Sequence, residues 1–261
     1  MRTAEWFVRT YILRQDLLTT RIDPPGITVT GYSRDLMGRH VYKRKTYETE
    51  LSAFILEALR LEPGQVALDI GANLGWYSLL LARRFPGVEI HAFEPEPRNF
   101  ALLQRNIEQN GFVDVHPHPL AVADSSGDLS LYPYPKKNMG RHSLLPINDS
   151  EPISVRTCRL DDFLEQQSIR PERLGFVKID IEGFEAQALL GARTMLKSGV
   201  PILAEFAPKY IRKGGGDPQQ FLGLLRDAGY SPFRCNARSR VAFSAEELGS
   251  EERRDILWQR A

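Results

Sequence analysis

Val66-Ala67-Leu68-Asp69-Ile70-Gly71-Ala72-Asn73-Leu74-Gly75-Trp76-Tyr77 is the stretch on which the fold turns. A short apolar run passes into glycines, and helical periodicity then holds from Trp76 to Phe85, stopping at Pro86-Gly87. A strand that turns through glycines into a helix lets a ligand approach the backbone and sit at the helix N-terminus. The same alternation repeats downstream. Val88 to Phe93 reads as a strand, Glu96 to Asn110 as a helix ended by Gly111, and Val113 to His118 as a third strand. Leu129 to Val155, with Pro133 and Pro135, interrupts the pattern as an inserted hairpin and loop. Helices are then expected over Leu160 to Gln167, Phe184 to Lys197 and Pro218 to Ala228. Strands are expected over Phe176 to Ile181, Pro201 to Phe206, Tyr230 to Cys235 and Arg254 to Trp258. This predicts an α/β fold with a mostly parallel sheet of about seven strands and helices on both faces.

Upstream, apolar residues from Trp6 to Leu18 have amphipathic helical spacing, with Arg9 and Arg14 giving a basic side. Such a helix either packs on the protein or binds a membrane surface. Asp23-Pro24-Pro25-Gly26 is a turn that would close it. Ile27 to Tyr32 and His40 to Arg44 read as a hairpin, and Thr46 to Leu61 as a helix ended by Pro63-Gly64. Residues 1–62 are therefore expected to be a helix-hairpin-helix extension, and residues 63–261 the ligand-binding domain. The basic cluster Arg39, His40, Lys43, Arg44 and Lys45 reads either as solvated hairpin charge or as a phosphate or RNA contact.

The chain has 261 residues, 42% hydrophobic and 26% charged, with a net charge of +1. That composition excludes disordered, collagen-like and disulfide-scaffold classes. The near-neutral total gives no global attraction to nucleic acid or an anionic membrane. Two cysteines, Cys158 and Cys235, with no CxxC pair exclude a zinc ribbon and a dithiol centre, and point to a reducing compartment, the cytoplasm. The longest uncharged apolar stretch, Trp76 to Ala82, is too short to span a bilayer.

The glycine turn departs from the dinucleotide fingerprint. Asn73 stands where the second glycine belongs, no third glycine follows at the required offset, and no Gly-Lys-Ser/Thr makes a phosphate loop. Asp69, just before the first glycine, would repel a pyrophosphate but suits an ammonium or sulfonium. Glu94 closes the second strand and is placed to accept both hydroxyls of a ribose. Taken singly, Asp69 reads as a turn carboxylate and Glu94 as a surface cap. In register, the pair describes a nucleoside with a cationic amino-acid end, which is S-adenosylmethionine.

These stretches, with Tyr47-Glu48, Phe93-Glu94-Pro95, Asn106, Asn110-Gly111, Ala121-Val122-Ala123-Asp124, Asn138-Met139-Gly140, Ser143-Leu144 and Lys178-Ile179-Asp180-Ile181-Glu182-Gly183-Phe184-Glu185, resemble the FkbM-type family of S-adenosylmethionine-dependent methyltransferases. The resemblance covers about Tyr47 to Trp258 and leaves residues 1–45 outside. It implies a Rossmann-like class I methyltransferase fold and methyl transfer to a hydroxyl of a sugar, glycoside or natural product. It also implies a cofactor site built from Glu48, Asp69, Gly71, Ala72, Asn73, Gly75, Tyr77, Glu94, Pro95, Ala121, Asp124 and Asp180.

A hydroxyl acceptor needs a base as well as alignment with the methyl. Asp180, Glu182 and His142 are the candidates, the first two because open α/β sheets place active sites at the carboxyl ends of strands. Glu182 and Glu185 have a second reading as first-turn acids of the next helix. His142 has a second reading as part of a solvated basic loop. His116 and His118, two apart on one strand, lack a third ligand, and no metal is assigned. A small-molecule acceptor is expected. An RNA methyltransferase, a nicotinamide oxidoreductase and a non-catalytic module stay as alternatives. The neutral total charge and the lack of an Asn-Pro-Pro-Tyr motif count against nucleic acid, and Asp69 and Asn73 against nicotinamide.

Overall fold

A computed structural model gives the fold, and the structure describes residues 2–132, 151–235 and 241–260. Helix α1 (Arg2–Phe7) continues as a π-helical turn over Val8–Ile12. Strands β1 (Leu17–Ile22) and β2 (Ile27–Tyr32) pair antiparallel, and helices α2 (Leu36–Arg44) and α3 (Thr49–Ala53) follow. The hairpin partner of Ile27–Tyr32 is thus Leu17–Ile22, and the segment from His40 to Arg44 is helical. Burial alternates along Leu18, Thr20 and Ile22, the signature of a strand with one covered face. The turn at residues 23–26 joins the two strands rather than closing the first helix. Asp35 caps α2 by accepting a hydrogen bond from the Gly38 N–H at 3.0 Å. A Cβ on Gly38 would lie 2.4 Å from the Tyr32 carbonyl oxygen, so a glycine there lets α2 lie directly on β2.

From β3 (Val66–Ile70) the alternation runs through α4 (Trp76–Arg84), β4 (Glu89–Phe93), α5 (Pro97–Asn110) and β5 (Val115–His118). Strands β6 (Ala121–Ala123), β7 (Gly127–Leu131) and β8 (Ile153–Arg159) make a separate three-stranded sheet. Next come α6 (Leu160–Gln166), β9 (Leu174–Ile179), α7 (Glu185–Leu190), α8 (Arg193–Ser198) and β10 (Ile202–Phe206). Helices α9 (Pro208–Lys213) and α10 (Pro218–Asp227), strand β11 (Tyr230–Arg234), α11 (Ala245–Leu248) and β12 (Arg254–Arg260) complete the order. The main sheet has seven strands in the order β11-β12-β10-β9-β3-β4-β5, and only β12 runs against its neighbours. These are the seven strands expected from the sequence. Chain order reverses between β3 and β9, so a crevice opens past their carboxyl ends.

One face of the sheet is covered by α6, α7, α8 and α10. The other packs the N-terminal extension with α4 and α5 in one continuous cluster, where Ile27, Val29 and Ile55 meet Leu79, Leu80 and Leu103. Two asparagines join the extension to the sheet. Asn110 on α5 pairs with the Thr28 backbone, its Oδ1 accepting and its Nδ2 donating at 2.7 Å each. Asn106, one turn earlier and fully buried, does the same at Thr30 and also donates to the Leu74 carbonyl at 2.7 Å. The two amides stand in for a neighbouring strand along the open edge of β2. Asn106→Ala would leave three backbone groups without partners, each worth about 1–3 kcal/mol. A loss of about 3 kcal/mol in urea unfolding is expected, and a loss under about 1 kcal/mol would show that water replaces the amide.

Candidate functional site

The cleft at the switch point opens where β3 meets Gly71. Gly71 has a φ of +84°, and a Cβ there would lie 1.9 Å from the Asp180 carbonyl oxygen, so the turn accepts only glycine. The Gly71 and Ala72 N–H groups both donate to the Phe93 carbonyl, at 3.0 and 2.9 Å, which brings the end of β4 beside the loop. Asn73, at φ +52°, turns its N–H toward Glu94 Oε2 at 2.8 Å, and the Glu96 N–H donates to Oε1 at 2.9 Å. The Glu94 carboxylate is therefore fixed from behind, with the remaining lone pairs of both oxygens available to a ligand. Burial pushes this carboxyl up to about 7, against the two backbone donors.

The cleft measures about 940 Å³ with its open mouth. Gly71, Ala72, Asn73, Tyr77, Glu94, Pro95, Ala121, Asp180 and Glu182 all line it, together with the apolar Phe93, Leu120 and Val122. Four other expected residues lie elsewhere. Asp69 is fully buried behind the loop, because side chains alternate along β3 and its position faces α4 rather than the crevice. Its Oδ2 accepts from the Ser78 hydroxyl at 2.6 Å. Gly75 starts α4 and packs on Leu103. Asp124 is exposed beyond β6. Glu48 accepts from the Tyr77 hydroxyl and lines an adjoining hollow with Asp255. His142 falls outside the described residues.

Several contributors were not singled out from the sequence. Lys178 is buried on β9, in register with Asp69, and reaches the cleft. Its Nζ lies 3.4 Å from Asp180 Oδ2, 3.8 Å from Asp69 Oδ1 and 4.7 Å from the Tyr77 ring centre. Burial works against this ammonium, but Asp180 and Asp69 outweigh burial and its pKa is raised. The signal was present: a lysine inside an apolar strand is kept only where carboxylates meet it. Met37, Tyr47 and Arg253 also line the cleft. Arg253 arrives from just before β12, pairs with the buried Glu205 carboxylate, and lies 3.4 Å from Glu182. No local pattern marks it.

Asp180 and Glu182 differ in support. The Asp180 N–H donates to the Ile70 carbonyl at 3.0 Å, and its quarter-exposed carboxylate keeps Lys178 on one side. Glu182 sits at φ +49° before Gly183 at +103°, where a Cβ would strike the Tyr210 carbonyl oxygen at 2.3 Å. Glu185 is fully buried and accepts from the Ile181 and Gly183 N–H groups at 3.0–3.1 Å, so it holds the turn closed. Burial raises it to about 7 despite those donors. Among the described residues the crevice thus presents carboxylates, while Lys178 and Arg253 are already paired to carboxylates. That arrangement suits a cationic ligand and disfavours a pyrophosphate.

Comparison with known proteins places this geometry. The 31-O-demethyl-FK506 methyltransferase FkbM of Streptomyces tacrolimicus is 29% identical over 211 residues, 67% of this chain and 76% of its own length. The hexuronic acid methyltransferase AglP of Haloferax volcanii is 27% identical over 181 residues, 69% of each chain. The 2-O-methyltransferase NoeI of Sinorhizobium fredii is 26% identical over 179 residues, 63% of this chain and 72% of its own. A family model described as the methyltransferase FkbM domain matches residues 69–232, from the glycine loop through α10 into β11. The chain belongs to the FkbM family of methyltransferases.

Proposed function

We propose that the protein transfers the methyl group of S-adenosylmethionine to a hydroxyl of a sugar, glycoside or natural-product acceptor. The observation that carries this reading is the Glu94 carboxylate, pinned by the Asn73 and Glu96 N–H groups at the rim of a cleft whose far wall is Asp180. The residues present fit the cofactor. Glu94 would accept the ribose hydroxyls, and Leu120, Ala121 and Val122 would flank the adenine. Asp180 and Glu182 supply the negative charge that a sulfonium and an ammonium need. When bound, the cofactor supplies an electrophilic methyl carbon.

The rest is done by this chain. Asp180 takes the proton from the acceptor hydroxyl, with Lys178 Nζ, 3.4 Å from Oδ2, holding its carboxylate in place. Glu182, held near Arg253, orients the acceptor. His142 remains a second candidate base. Aligning acceptor and methyl contributes up to ~7–11 kcal/mol, more than proton removal does. The hydroxyl acceptor rests on the activities of two relatives, a 31-O-demethyl-FK506 methyltransferase and a 2-O-methyltransferase, and the sugar class on a third, a hexuronic acid methyltransferase. A reducing cytoplasm suits the two free cysteines.

Calorimetric titration tests the cofactor: S-adenosylhomocysteine should bind and NAD should not. Glu94→Ala should weaken S-adenosylhomocysteine about 100-fold, the worth of about 3 kcal/mol in hydrogen bonds to a charged acceptor. Because the ionised form is the better acceptor and the folded carboxyl titrates near 7, affinity should rise from pH 6 to pH 8 in the parent. The variant should lose that rise. Unchanged affinity in Glu94→Ala would remove the ribose assignment.

A further inference from the structure

Residues 1–45 hold an asymmetry that the cleft does not use. They carry nine Lys and Arg against four Asp and Glu, while the whole chain is at +1. The basic excess therefore belongs to this end of the molecule. The helix at residues 2–12 is anchored on one side only. Trp6 is buried, donates through Nε1 to the Ser33 carbonyl at 2.8 Å, and packs against Leu18 and Tyr42, while Thr10 one turn on is also buried. Among the described residues the opposite side is uncovered. Phe7, Tyr11, Ile12 and Leu13 are 49–63% exposed, and Phe7 packs on Tyr11 with ring centres 5.1 Å apart.

Leu36, at the start of α2, is 52% exposed, two residues on from Arg34, which lies over the Tyr11 ring at 5.5 Å. Arg14 and Arg34 are exposed beside the apolar face, Arg34 over the Tyr11 ring, while the exposed Arg9 pairs with Glu5 at 3.0 Å on the Tyr42 side. An apolar helical face rimmed by arginines is the composition of helices that lie in a lipid interface. The face is a ridge without a groove, which suits insertion between lipids. A second copy would meet it face to face and bring the same arginines together. Among the described residues no helix is long and apolar enough to cross a membrane, so contact would be peripheral.

We propose that this helix docks the protein on an anionic lipid bilayer. The neighbour of Leu36 is Met37, which lines the cleft, so the docked face adjoins the cleft wall. The inference is independent of the methyl-transfer reading. Vesicles of phosphatidylcholine with about 30% phosphatidylglycerol, against phosphatidylcholine alone, are the probe in co-sedimentation. At least tenfold stronger partition onto the anionic vesicles is expected at low salt, falling as salt rises. The triple variant Phe7→Ser, Ile12→Ser, Leu13→Ser should lose it. Arg9→Gln with Arg14→Gln should lose the preference for anionic lipid. Equal melting temperatures would show that the variants fold, since Trp6 and Thr10 are untouched. No partition by the parent would overturn the proposal. So would a dimer in sedimentation velocity that the triple variant converts to monomer, because a second copy would then be the occupant.

Discussion

Asp180→Asn should lower turnover by about 10²–10⁴-fold, read as S-adenosylhomocysteine formed per enzyme with an acceptor that the parent methylates. The substitution keeps shape and loses basicity. The backbone bond to Ile70 is untouched, and the side chain is a quarter exposed at the cleft, so the fold has little to lose. Melting temperature should hold within a few degrees, because Lys178 keeps Asp69 as a partner at 3.8 Å. Cofactor affinity should change only severalfold. The loss should fall on kcat rather than on cofactor KM, which separates a proton-transfer role from a binding role. Glu182→Gln should cost less, since Arg253 already engages that carboxylate. Turnover within threefold of the parent in Asp180→Asn would take Asp180 out of the mechanism and leave Glu182 and His142.

Lys178→Met should be the most destabilising of the changes considered. The ammonium is buried between Asp180 and Asp69 beneath the Tyr77 ring. Removing one member of a buried pair leaves an uncompensated charge and costs about 3–5 kcal/mol. Asp69 pays most of it: burial already raises its pKa, and Lys178 and the Ser78 hydroxyl are what oppose that. Neutralising the stranded carboxylate should recover part of the loss. The double variant Asp69→Asn, Lys178→Met is therefore expected to be more stable than Lys178→Met, with a coupling of about 0.5–3 kcal/mol in urea unfolding. Additive effects would show that the two side chains do not share a field.

Much of the architecture was legible beforehand. All seven strands of the main sheet were expected, most of them as apolar runs beside glycine or proline, and the helices between them by their period. Glu94 was legible because a strand-end carboxylate after a glycine turn has few other uses. The N-terminal hairpin was not. Leu17 and Leu18 were absorbed into the helical pattern, and the short stretch from His40 to Arg44 fits either period, so length could not arbitrate. Asp35 as a cap and Gly38 against Tyr32 were the overlooked signs. The place of Asp69 beside the glycine turn was legible, but not the direction of its side chain, which meets Ser78. A strand's two faces are plain in sequence, but which one meets the ligand depends on what covers the other.

Order along the chain, the parallel sheet, the glycine turn and the carboxylate that closes the second strand were determined by sequence alone. Each follows from spacing among near neighbours, where period and backbone sterics act. Only the tertiary structure decided that Lys178 joins Asp69 to Asp180, that Arg253 reaches Glu205 and Glu182, and that one side of the first helix is uncovered among the described residues. Those arrangements join residues tens to hundreds of positions apart or depend on what is left uncovered. Buried charge must find its counter-charge in space, and the distances that satisfy it exist only once the sheet is assembled.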